Sequence, residues 1–558
     1  MKLVISQINP IVGDLEHNFK LMLKEVESAK KAKANLIVFP EMSMLGYPPK
    51  DLILKQGLIE TQDHYIKELA LYSDEEFAII LGGISANRDF GNKFFNSLFC
   101  LAKGEIDFVT HKVLLPSYDV FDELRYFAAA PRAKYWEWQD HKIGLTICED
   151  IWMEAYPNLY NRNPVENLIA AGAEIIINAS ASPYALGKPE FREELIINLV
   201  KKYQVPIIYA NQVGANDQLI FDGGSFTVDS SASLMARAKS FEPDSLSFEL
   251  KDLINKNEAL ELRHSNLEEL RLAIILGLKD YCRKCGFEKI VLGLSGGIDS
   301  ALVAYFAAEA LGPTNVYAFM MPSKFTSDES LKDAEAQAQS LGINYQIISI
   351  KELHEQMRKL MPDLNQLADE NLQSRLRANI LMARSNTQDA LLLATGNKSE
   401  IAVGYSTLYG DSCGGIAVIG DLLKTTVFEL ARHINSEKEI IKQCIINKEP
   451  SAELREDQKD SDSLPEYAVL DQIIKLYVEE LKPLDEIVAA GIDKGLAARV
   501  LNMVDRAEYK RQQLPPVLKL APTAFGFGRR MPIAQGFRHA CHPEPERRQD
   551  LPGSTTRS

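Results

Sequence analysis

The segment Ser295-Gly-Gly-Ile-Asp-Ser300 has the residue types and spacing of a phosphate-binding turn. An apolar run ends at Leu294, and a helix-forming run, 301–311, follows the turn. This order predicts a strand, a tight glycine turn and a helix N-terminus, whose N–H groups and positive dipole end favour a phosphate group. No Gly-Lys-Ser/Thr follows at the spacing of a Walker motif. The predicted chemistry is therefore nucleotide binding by a different kind of loop.

Three further reactive side chains lie in separate segments of the first half of the chain. Glu41 and Cys148 each follow an apolar run typical of a strand, and Lys112 lies in His-Lys-Val-Leu-Leu-Pro. Taken singly, such a cysteine is usually a small buried residue, and a Glu or Lys is usually a solvated one. Together, a thiol, a carboxylate and an ammonium group could act as a nucleophile, a proton carrier and a cation that stabilises an oxyanion.

The elements that must position these residues differ between the two halves of the chain. In residues 1–245, short β-rich runs alternate with helical ones, which predicts a mixed α/β domain with two stacked sheets. In residues 265–538, regular strand–helix alternation predicts a doubly wound parallel sheet with ligands at the carboxyl ends of its strands. Charged, weakly periodic sequence predicts a linker over 246–264. The near absence of aliphatic residues predicts a disordered tail over 539–558.

The overall composition excludes several classes of protein. The chain has 62 Lys and Arg against 77 Asp and Glu, a net charge of −15 with no long basic run, which argues against nucleic-acid binding. No apolar segment approaches the roughly 18 residues of a membrane span, and the N-terminus has no signal pattern, so no membrane association is expected. Seven cysteines without framework spacing favour reduced thiols and a cytoplasmic setting.

In combination, Glu41, Lys112 and Cys148 resemble the catalytic triad of the nitrilase, or carbon–nitrogen hydrolase, superfamily. The three lie in the family's sequence contexts and order. The resemblance covers about residues 1–250 and implies an α-β-β-α sandwich with glutaminase activity. It implies that Cys148 attacks the side-chain carbonyl of glutamine and forms a thioester. Glu41 would move the proton, and Lys112 would stabilise the oxyanion.

The same resemblance implies which residues hold glutamine. These are Tyr118, Ser182 and Lys188. The sequence leaves the role of Glu123 open, because this residue could support Lys112 or be a structural carboxylate.

The second half of the chain resembles the NAD synthetases, whose motifs occur here in family order. The segments that carry the resemblance are 293–300, 371–377, 393–400, 404–411, 421–425 and 529–533. The resemblance implies a Rossmann-like parallel α/β domain of the ATP pyrophosphatase type. It implies that the carboxylate of deamido-NAD attacks the α-phosphorus of ATP, and that ammonia then displaces AMP to give NAD.

The resemblance also assigns ligands to individual residues. The residues expected to bind ATP, the co-substrate, are Gly293, Leu294, Ser295, Gly296, Gly297, Ile298, Asp299, Ser300, Thr395 and Lys424. The residues expected to contact deamido-NAD are Asn371, Arg375, Glu400 and Lys519. Asp299 and Glu400 would hold Mg²⁺, a hard cation that prefers carboxylate and phosphate oxygens.

This domain order is that of the glutamine-dependent NAD synthetases, which implies a C–N ligase and a homo-oligomer. One alternative is an ammonia-dependent synthetase whose nitrilase-like domain is inactive and serves for assembly. Another is GMP or asparagine synthesis, but those ligases carry other glutaminase domains, one of which needs a cysteine at the mature N-terminus, whereas residue 2 here is Lys2.

The sequence leaves the roles of two features undecided. The polar, acidic segment 447–465 is too long for an ordinary connection, so it is either a lid or a disordered insert. Cys282-Arg-Lys-Cys285 is a single C-x-x-C without a second pair, which disfavours a zinc site.

Overall fold

The computed structural model describes residues 1–253 and 264–539. Most of the predicted linker and nearly all of the predicted tail lie outside these ranges. No helix in the described part of the chain has the length and apolar character needed to cross a bilayer.

The first half contains two six-stranded sheets. In chain order the strands are β1 (Lys2–Gln7), β2 (Leu36–Val38), β3 (Ala78–Ala86), β4 (Phe94–Ala102), β5 (Glu105–His111), β6 (Lys134–Trp138), β7 (His141–Ile147), β8 (Ile175–Ser180), β9 (Ile207–Asn211), β10 (Val213–Asn216), β11 (Leu219–Asp222), β12 (Phe226–Val228), β13 (Leu234–Arg237) and β14 (Asp244–Glu249). One sheet has the order β14-β1-β2-β3-β4-β5 and the other β13-β12-β9-β8-β7-β6, while β10 and β11 form a separate hairpin.

The two sheets stack face to face, and helices cover their outer faces. The helices are α1 (Leu15–Lys31), α2 (Leu58–Ala70), α3 (Pro164–Ala170) and α4 (Lys188–Tyr203). Ile5 from one sheet and Ile177 from the other belong to one buried cluster between the sheets. Phe19 of α1 packs with Ile37 on the outer face of the first sheet. This layering confirms the predicted α-β-β-α sandwich.

Helix α1 shows why the sequence forms these covering helices. The Asp14 side chain accepts a hydrogen bond from the His17 N–H and so caps the N-terminus. Phe19, Met22 and Val26 are buried at helical spacing, so one face of the helix covers the sheet.

The second half is built on a five-stranded parallel sheet. Its strands are β15 (Ile290–Gly293), β16 (Val316–Met320), β17 (Asn344–Ile347), β18 (Leu391–Ala394) and β19 (Ile416–Ala417), in the order β17-β16-β15-β18-β19. The helices are α5 (Asn266–Cys285), α6 (Ile298–Leu311), α7 (Asp328–Leu341), α8 (Lys351–Leu360), α9 (Gln366–Gln388), α10 (Lys398–Val403), α11 (Lys424–Ile434), α12 (Gln443–Asn447), α13 (Tyr467–Ile474), α14 (Leu484–Ala489), α15 (Lys494–Arg506) and α16 (Glu508–Arg511). The predicted parallel α/β domain is confirmed.

The structure differs from the sequence expectation near the predicted domain boundary. Strand β14 crosses residue 245 and pairs antiparallel with β1 along its whole length. The first sheet therefore extends into the segment 246–264 that was expected to be linker. His539, expected to begin the tail, is held by two hydrogen bonds to the Asn502 side chain, of 2.9 and 3.0 Å.

The hairpin β10–β11 and helix α5 join the two halves. Ile220 of the hairpin shares a buried cluster with Leu270 and Ile274 of α5. On the same helix, Asp280 accepts hydrogen bonds from the Asn9 side chain at 2.7 Å and from the Ala215 N–H at 2.8 Å. Apolar packing and a buried polar network together fix one domain against the other.

Candidate functional site

The three predicted catalytic residues each follow a strand of the sandwich. Glu41 lies after β2, Lys112 directly follows β5, and Cys148 directly follows β7. All three side chains are buried, with exposures of 0%, 1% and 4%. The Cys148 backbone has a φ of +42°, an uncommon conformation for a residue with a side chain. Strained backbone of this kind is often found at functional sites.

Lys112 lies between two carboxylates. Its Nζ donates to Glu41 Oε1 and to Glu123 Oε1, both at 2.8 Å. Tyr47 OH donates to the same oxygen of Glu123 at 2.9 Å. The structure therefore brings Glu123 into the site as a partner of Lys112, which is one of the two roles left open by the sequence.

The electrostatics of this cluster keep the lysine charged and the thiol protonated. Burial alone would lower the pKa of Lys112, but the charges of Glu123 and Glu41 outweigh it and raise that pKa well above its usual value. Burial and the Glu41 charge raise the pKa of Cys148, although Lys112 opposes them. Burial and Glu41 also raise the pKa of Glu123, to about 7, against the attraction of Lys112. Cys148 is thus a neutral thiol at rest and needs a base when it attacks.

The predicted glutamine-binding residues lie around this cluster. Tyr118 OH donates to Glu149 Oε1 and Oε2 at 2.9 and 3.1 Å. The Ser182 backbone N–H donates to Asn211 Oδ1 at 3.0 Å. Lys188 is the first residue of α4, and its Nζ lies 5.5 Å from the centre of the Trp152 ring. Burial and the neighbouring cations Arg192 and Lys519 lower the pKa of Lys188 to about 8.

Glu149 is a residue of this site that the sequence reasoning did not single out. Its side chain is 2% exposed and also accepts a hydrogen bond from Tyr160 OH at 2.6 Å. Its position next to Cys148 was the available signal, but the carboxylate could equally have faced a solvated surface. Only the fold places it beside Tyr118 and Tyr160.

The second candidate site is a cleft of about 660 Å³ at the carboxyl ends of the parallel strands. The residues that line it include Gly293 to Ser300, Asn371, Arg375, Thr395, Glu400 and Lys424. Among the predicted ligands of the second domain, Lys519 is the one absent from this lining.

The glycine turn joins β15 to the N-terminus of α6. Gly296 has a φ of +83°, and a Cβ there would lie 2.3 Å from the carbonyl oxygen of Ser330. The Ser295 N–H donates to Ser300 Oγ at 3.2 Å, and Gly297 N–H donates to Ser295 Oγ at 3.2 Å. The turn therefore has the compact strand–turn–helix geometry that exposes backbone N–H groups to an anion.

A charged cluster adjoins the turn. Lys424 Nζ donates to Asp299 Oδ2 and lies 3.8 Å from Glu400 Oε1. Burial alone would lower the pKa of Lys424, but Asp299 and Glu400 raise it. Burial and Asp299 raise the pKa of Glu400 to about 8, against the attraction of Lys424. A bound cation would stabilise both carboxylates in the charged form.

The donor set of this cluster fits Mg²⁺ bound together with a phosphate. Within residues 1–253 and 264–539, no group of three or more His, Cys, Asp or Glu side chains has metal-binding geometry. Mg²⁺ commonly takes only one or two carboxylates, with waters and substrate phosphates as the other ligands. Asp299 and Glu400, beside the glycine turn, can supply that pair.

The segment 447–465, left open by the sequence, lies over this cleft. Glu453 Oε1 accepts hydrogen bonds from Ser327 Oγ at 2.9 Å and from Ser330 Oγ at 2.6 Å. The Leu454 carbonyl accepts from Gln373 Nε2 at 2.9 Å. Asp460, which also lines the cleft, accepts from Tyr467 OH at 2.8 Å. The segment therefore forms part of the cleft wall.

The predicted dinucleotide contacts fall in two places. Asn371 Oδ1 accepts from Thr407 Oγ1 at 2.7 Å, and Arg375 Nε donates to the Leu408 carbonyl at 3.1 Å, both at the cleft. Lys519 lies at the domain junction, where its Nζ is 3.2 Å from Asp119 Oδ2. The structure thus places Lys519 beside Asp119 and outside the lining of the cleft, and its expected contact with a dinucleotide stays a prediction.

Comparison with known proteins matches both halves. The carbon–nitrogen hydrolase family model matches residues 2–253, and the NAD synthase family model matches residues 271–514. A glutamine-dependent NAD(+) synthetase from Synechocystis sp. is 44% identical over 557 residues, which cover 97% of this chain and 99% of that protein. Another, from Acinetobacter baylyi, is 39% identical over 96% of this chain and 99% of its own length.

Two solved structures extend the comparison to the fold. A glutamine-dependent NAD+ synthetase from Acinetobacter baumannii, in complex with ADP, is 35% identical with a TM-score of 0.74, covering 97% of this chain and 99% of that one. A glutamine-dependent NAD(+) synthetase from Cytophaga hutchinsonii shares the fold, with a TM-score of 0.80 at 23% identity, covering 96% of this chain and 97% of that one.

Proposed function

Since this chain belongs to the family of glutamine-dependent NAD(+) synthetases, we propose that its two sites divide one reaction between them. The sandwich domain releases ammonia from glutamine. The parallel α/β domain adenylates deamido-NAD with ATP and amidates it to NAD, with release of AMP and diphosphate. The observation that carries the proposal is the presence of both sites in one chain: a buried Glu41-Lys112-Cys148 cluster and a separate cleft beside the glycine turn.

In the first site, Cys148 acts as the nucleophile. Its thiol is neutral at rest, so Glu41 takes the proton as the sulfur attacks the amide carbon, and Lys112 stabilises the negative charge that develops on the carbonyl oxygen. Glu41 then returns the proton to the leaving nitrogen. A water molecule subsequently hydrolyses the thioester and releases glutamate.

We assign recognition of the rest of glutamine to polar residues around the cluster. Lys188 suits the α-carboxylate because it is a half-buried cation beside the Trp152 ring. Glu149, held by Tyr118 and Tyr160, suits the α-ammonium group because it is a buried anion. Ser182 supplies a further polar contact. Each charged end of the substrate thereby meets an opposite charge in a site of low polarity.

In the second site, the turn Gly293 to Ser300 holds the phosphates of ATP, with Thr395 and Lys424 as further contacts. Asn371, Arg375 and Glu400 contact deamido-NAD. Asp299 and Glu400 would hold Mg²⁺, which would neutralise negative charge on the phosphates. Lys424 places a positive charge beside the leaving diphosphate.

The polar segment 447–465 would act as a lid in this scheme. Its hydrogen bonds to Ser327, Ser330 and Gln373 place it over the cleft where the acyl adenylate forms. A closed lid would protect that intermediate from water until ammonia arrives.

The proposal also covers the cellular compartment and the oligomeric state of the protein. The six cysteines of the described ranges are all unpaired, which supports a reducing, cytoplasmic setting. We also propose a homo-oligomer, on the resemblance to the family alone. Light scattering coupled to gel filtration measures the oligomeric state.

The direct test of the proposed function measures NAD formed from deamido-NAD, ATP and Mg²⁺ with either glutamine or ammonia. Both nitrogen sources should support synthesis. Synthesis from ammonia alone, with no release of glutamate from glutamine, would favour the alternative in which the sandwich domain is inactive and serves for assembly. Synthesis from neither would contradict the proposal.

A further inference from the structure

Asn96 is a buried polar residue of the thiol site to which the reaction described above gives no role. It lies on β4, is 1% exposed, and pairs with Ile84 of β3 in the antiparallel register. Its backbone carbonyl oxygen accepts a hydrogen bond from the Lys112 backbone N–H at 2.9 Å. The residue therefore fixes the backbone of one member of the cluster.

The side chain of Asn96 contacts a second member. Its Nδ2 donates to Glu41 Oε1 at 2.6 Å. The amide nitrogen must face the carboxylate, because an amide oxygen there would meet another acceptor. Asn96 Oδ1 is buried without a partner among the described residues.

The two oxygens of Glu41 are consequently not equivalent. Oε1 accepts from both Asn96 Nδ2 and Lys112 Nζ, so its two lone pairs are occupied. Oε2 accepts one hydrogen bond, from the Ala181 N–H at 2.9 Å, and has a second lone pair available.

We propose that Asn96 is a positioning residue that selects Oε2 of Glu41 as the oxygen that carries the proton. The Sγ–H proton of Cys148 passes to Oε2 as the sulfur forms its bond to the amide carbon. When the C–N bond breaks, its electron pair leaves with the nitrogen, and Oε2 returns the proton to it, so ammonia departs neutral. This inference rests on the proposed glutaminase function and adds the atom that performs the transfer.

The role of Asn96 has a measurable signature. Asn96→Leu keeps the approximate volume of the side chain and removes its N–H donor. Oε1 of Glu41 then regains a free lone pair, and the charged form of Glu41 loses a stabilising hydrogen bond. Loss of one hydrogen bond to a charged group lowers a rate by roughly 10- to 100-fold. The titratable groups facing Glu41 are Lys112 from the end of β5, Glu123 from the following turn, Cys148 after β7 and Tyr47. All of them remain in the variant.

The experiment measures glutamate release for wild type, Asn96→Leu and Asn96→Asp as a function of pH and glutamine concentration. Both variants should lower kcat while KM for glutamine stays near the wild-type value. The acidic limb of the pH–rate profile should move to higher pH, because loss of a hydrogen-bond donor makes the charged form of a carboxylate less favourable. Asn96→Asp should shift it further, since it adds a like charge beside Oε1.

Asn18→Leu is the matched control. Asn18 is also fully buried in the sandwich domain, but within residues 1–253 and 264–539 its side chain bonds only backbone atoms of Ile11 and Met44. The Asn18→Leu variant should have a lower thermal stability than wild type, and the acidic limb of its pH–rate profile should not move.

An unmoved acidic limb in both Asn96 variants would overturn the proposal even if kcat falls, because packing alone would then explain the loss. A change confined to KM would overturn it as well. A wild-type enzyme that releases no glutamate would refute the glutaminase function itself, a result distinct from failure of the Asn96 role.

Discussion

Substitution of Glu123 by Gln tests the charge balance around Lys112. The change preserves the shape of the side chain and an oxygen that can still accept from Tyr47 OH. It removes one of the two negative charges that keep Lys112 protonated in a fully buried position. Burial lowers the pKa of this lysine and Glu123 is the stronger of the two opposing carboxylates, so the variant should have a lower Lys112 pKa than wild type.

The expected fall in glutaminase activity follows from the weakened hydrogen bond between Lys112 and residue 123. Lys112 Nζ donates to Glu123 Oε1 at 2.8 Å with both side chains buried. A hydrogen bond to a charged group contributes about 1.5–3 kcal/mol. If that bond supports the oxyanion-stabilising position of Lys112, kcat/KM for glutaminase should fall about 10- to 100-fold.

The pH dependence has a defined sign. Lys112 must be protonated to stabilise an oxyanion, so activity is lost when pH rises through its pKa. Lowering that pKa moves the basic limb of the pH–rate profile for glutamate release to lower pH. The assay is glutamate release across the basic range, with ammonia-driven NAD formation as an internal measure of folded enzyme.

Asp229→Asn controls for loss of a buried carboxylate. Asp229 is 1% exposed and, among the described residues, accepts hydrogen bonds only within its own turn, from Ser231 and Ser233. This variant should leave the basic limb in place. If Glu123→Gln leaves both the basic limb of the pH–rate profile and kcat/KM for glutamine unchanged, the reasoning is refuted, since Glu123 would then be a structural carboxylate.

Two further predictions concern the second site. Gly296→Ala should weaken ATP binding by about 10- to 100-fold, because a Cβ would meet the Ser330 carbonyl at 2.3 Å at a backbone φ of +83°. Calorimetry with a non-hydrolysable ATP analogue measures this, and Gly286→Ala, also at positive φ but with nothing within 4 Å, should bind normally. Unchanged ATP affinity in Gly296→Ala would contradict the assignment of the turn. Replacing residues 451–459 by a short glycine linker should raise ATP hydrolysis relative to NAD formation, because the bonds of Glu453 to Ser327 and Ser330 are lost. A ratio equal to wild type would identify the segment as a passive loop.

Local patterns in the sequence predicted the positions of most reactive residues well. Glu41 and Cys148 could be placed after strands because each follows an apolar run, and the glycine turn could be placed before a helix. These features depend on residues close in sequence, so periodicity and turn chemistry define them.

Features that depend on distant contacts were not predictable in this way. Glu149 has its role because Tyr118 and Tyr160 converge on it, and Asn96 has its role because β4 and β5 pair in one register. Strand β14 alternates polar and apolar residues, which is typical of a half-buried strand, but its membership of the sandwich follows only from its pairing with β1. Lys519, which was expected to contact deamido-NAD, lies beside Asp119 and not in the cleft lining, and that expected contact stays a prediction.

The central claim is that a thiol in one domain supplies nitrogen to a reaction in the other. Cys148→Ala removes the nucleophile and leaves the cleft around the glycine turn intact, so NAD formation should be measured with glutamine and, separately, with ammonia. The account predicts that synthesis from glutamine is abolished while synthesis from ammonia stays close to wild type. Undiminished synthesis from glutamine, or loss of both activities in a folded protein, would contradict it.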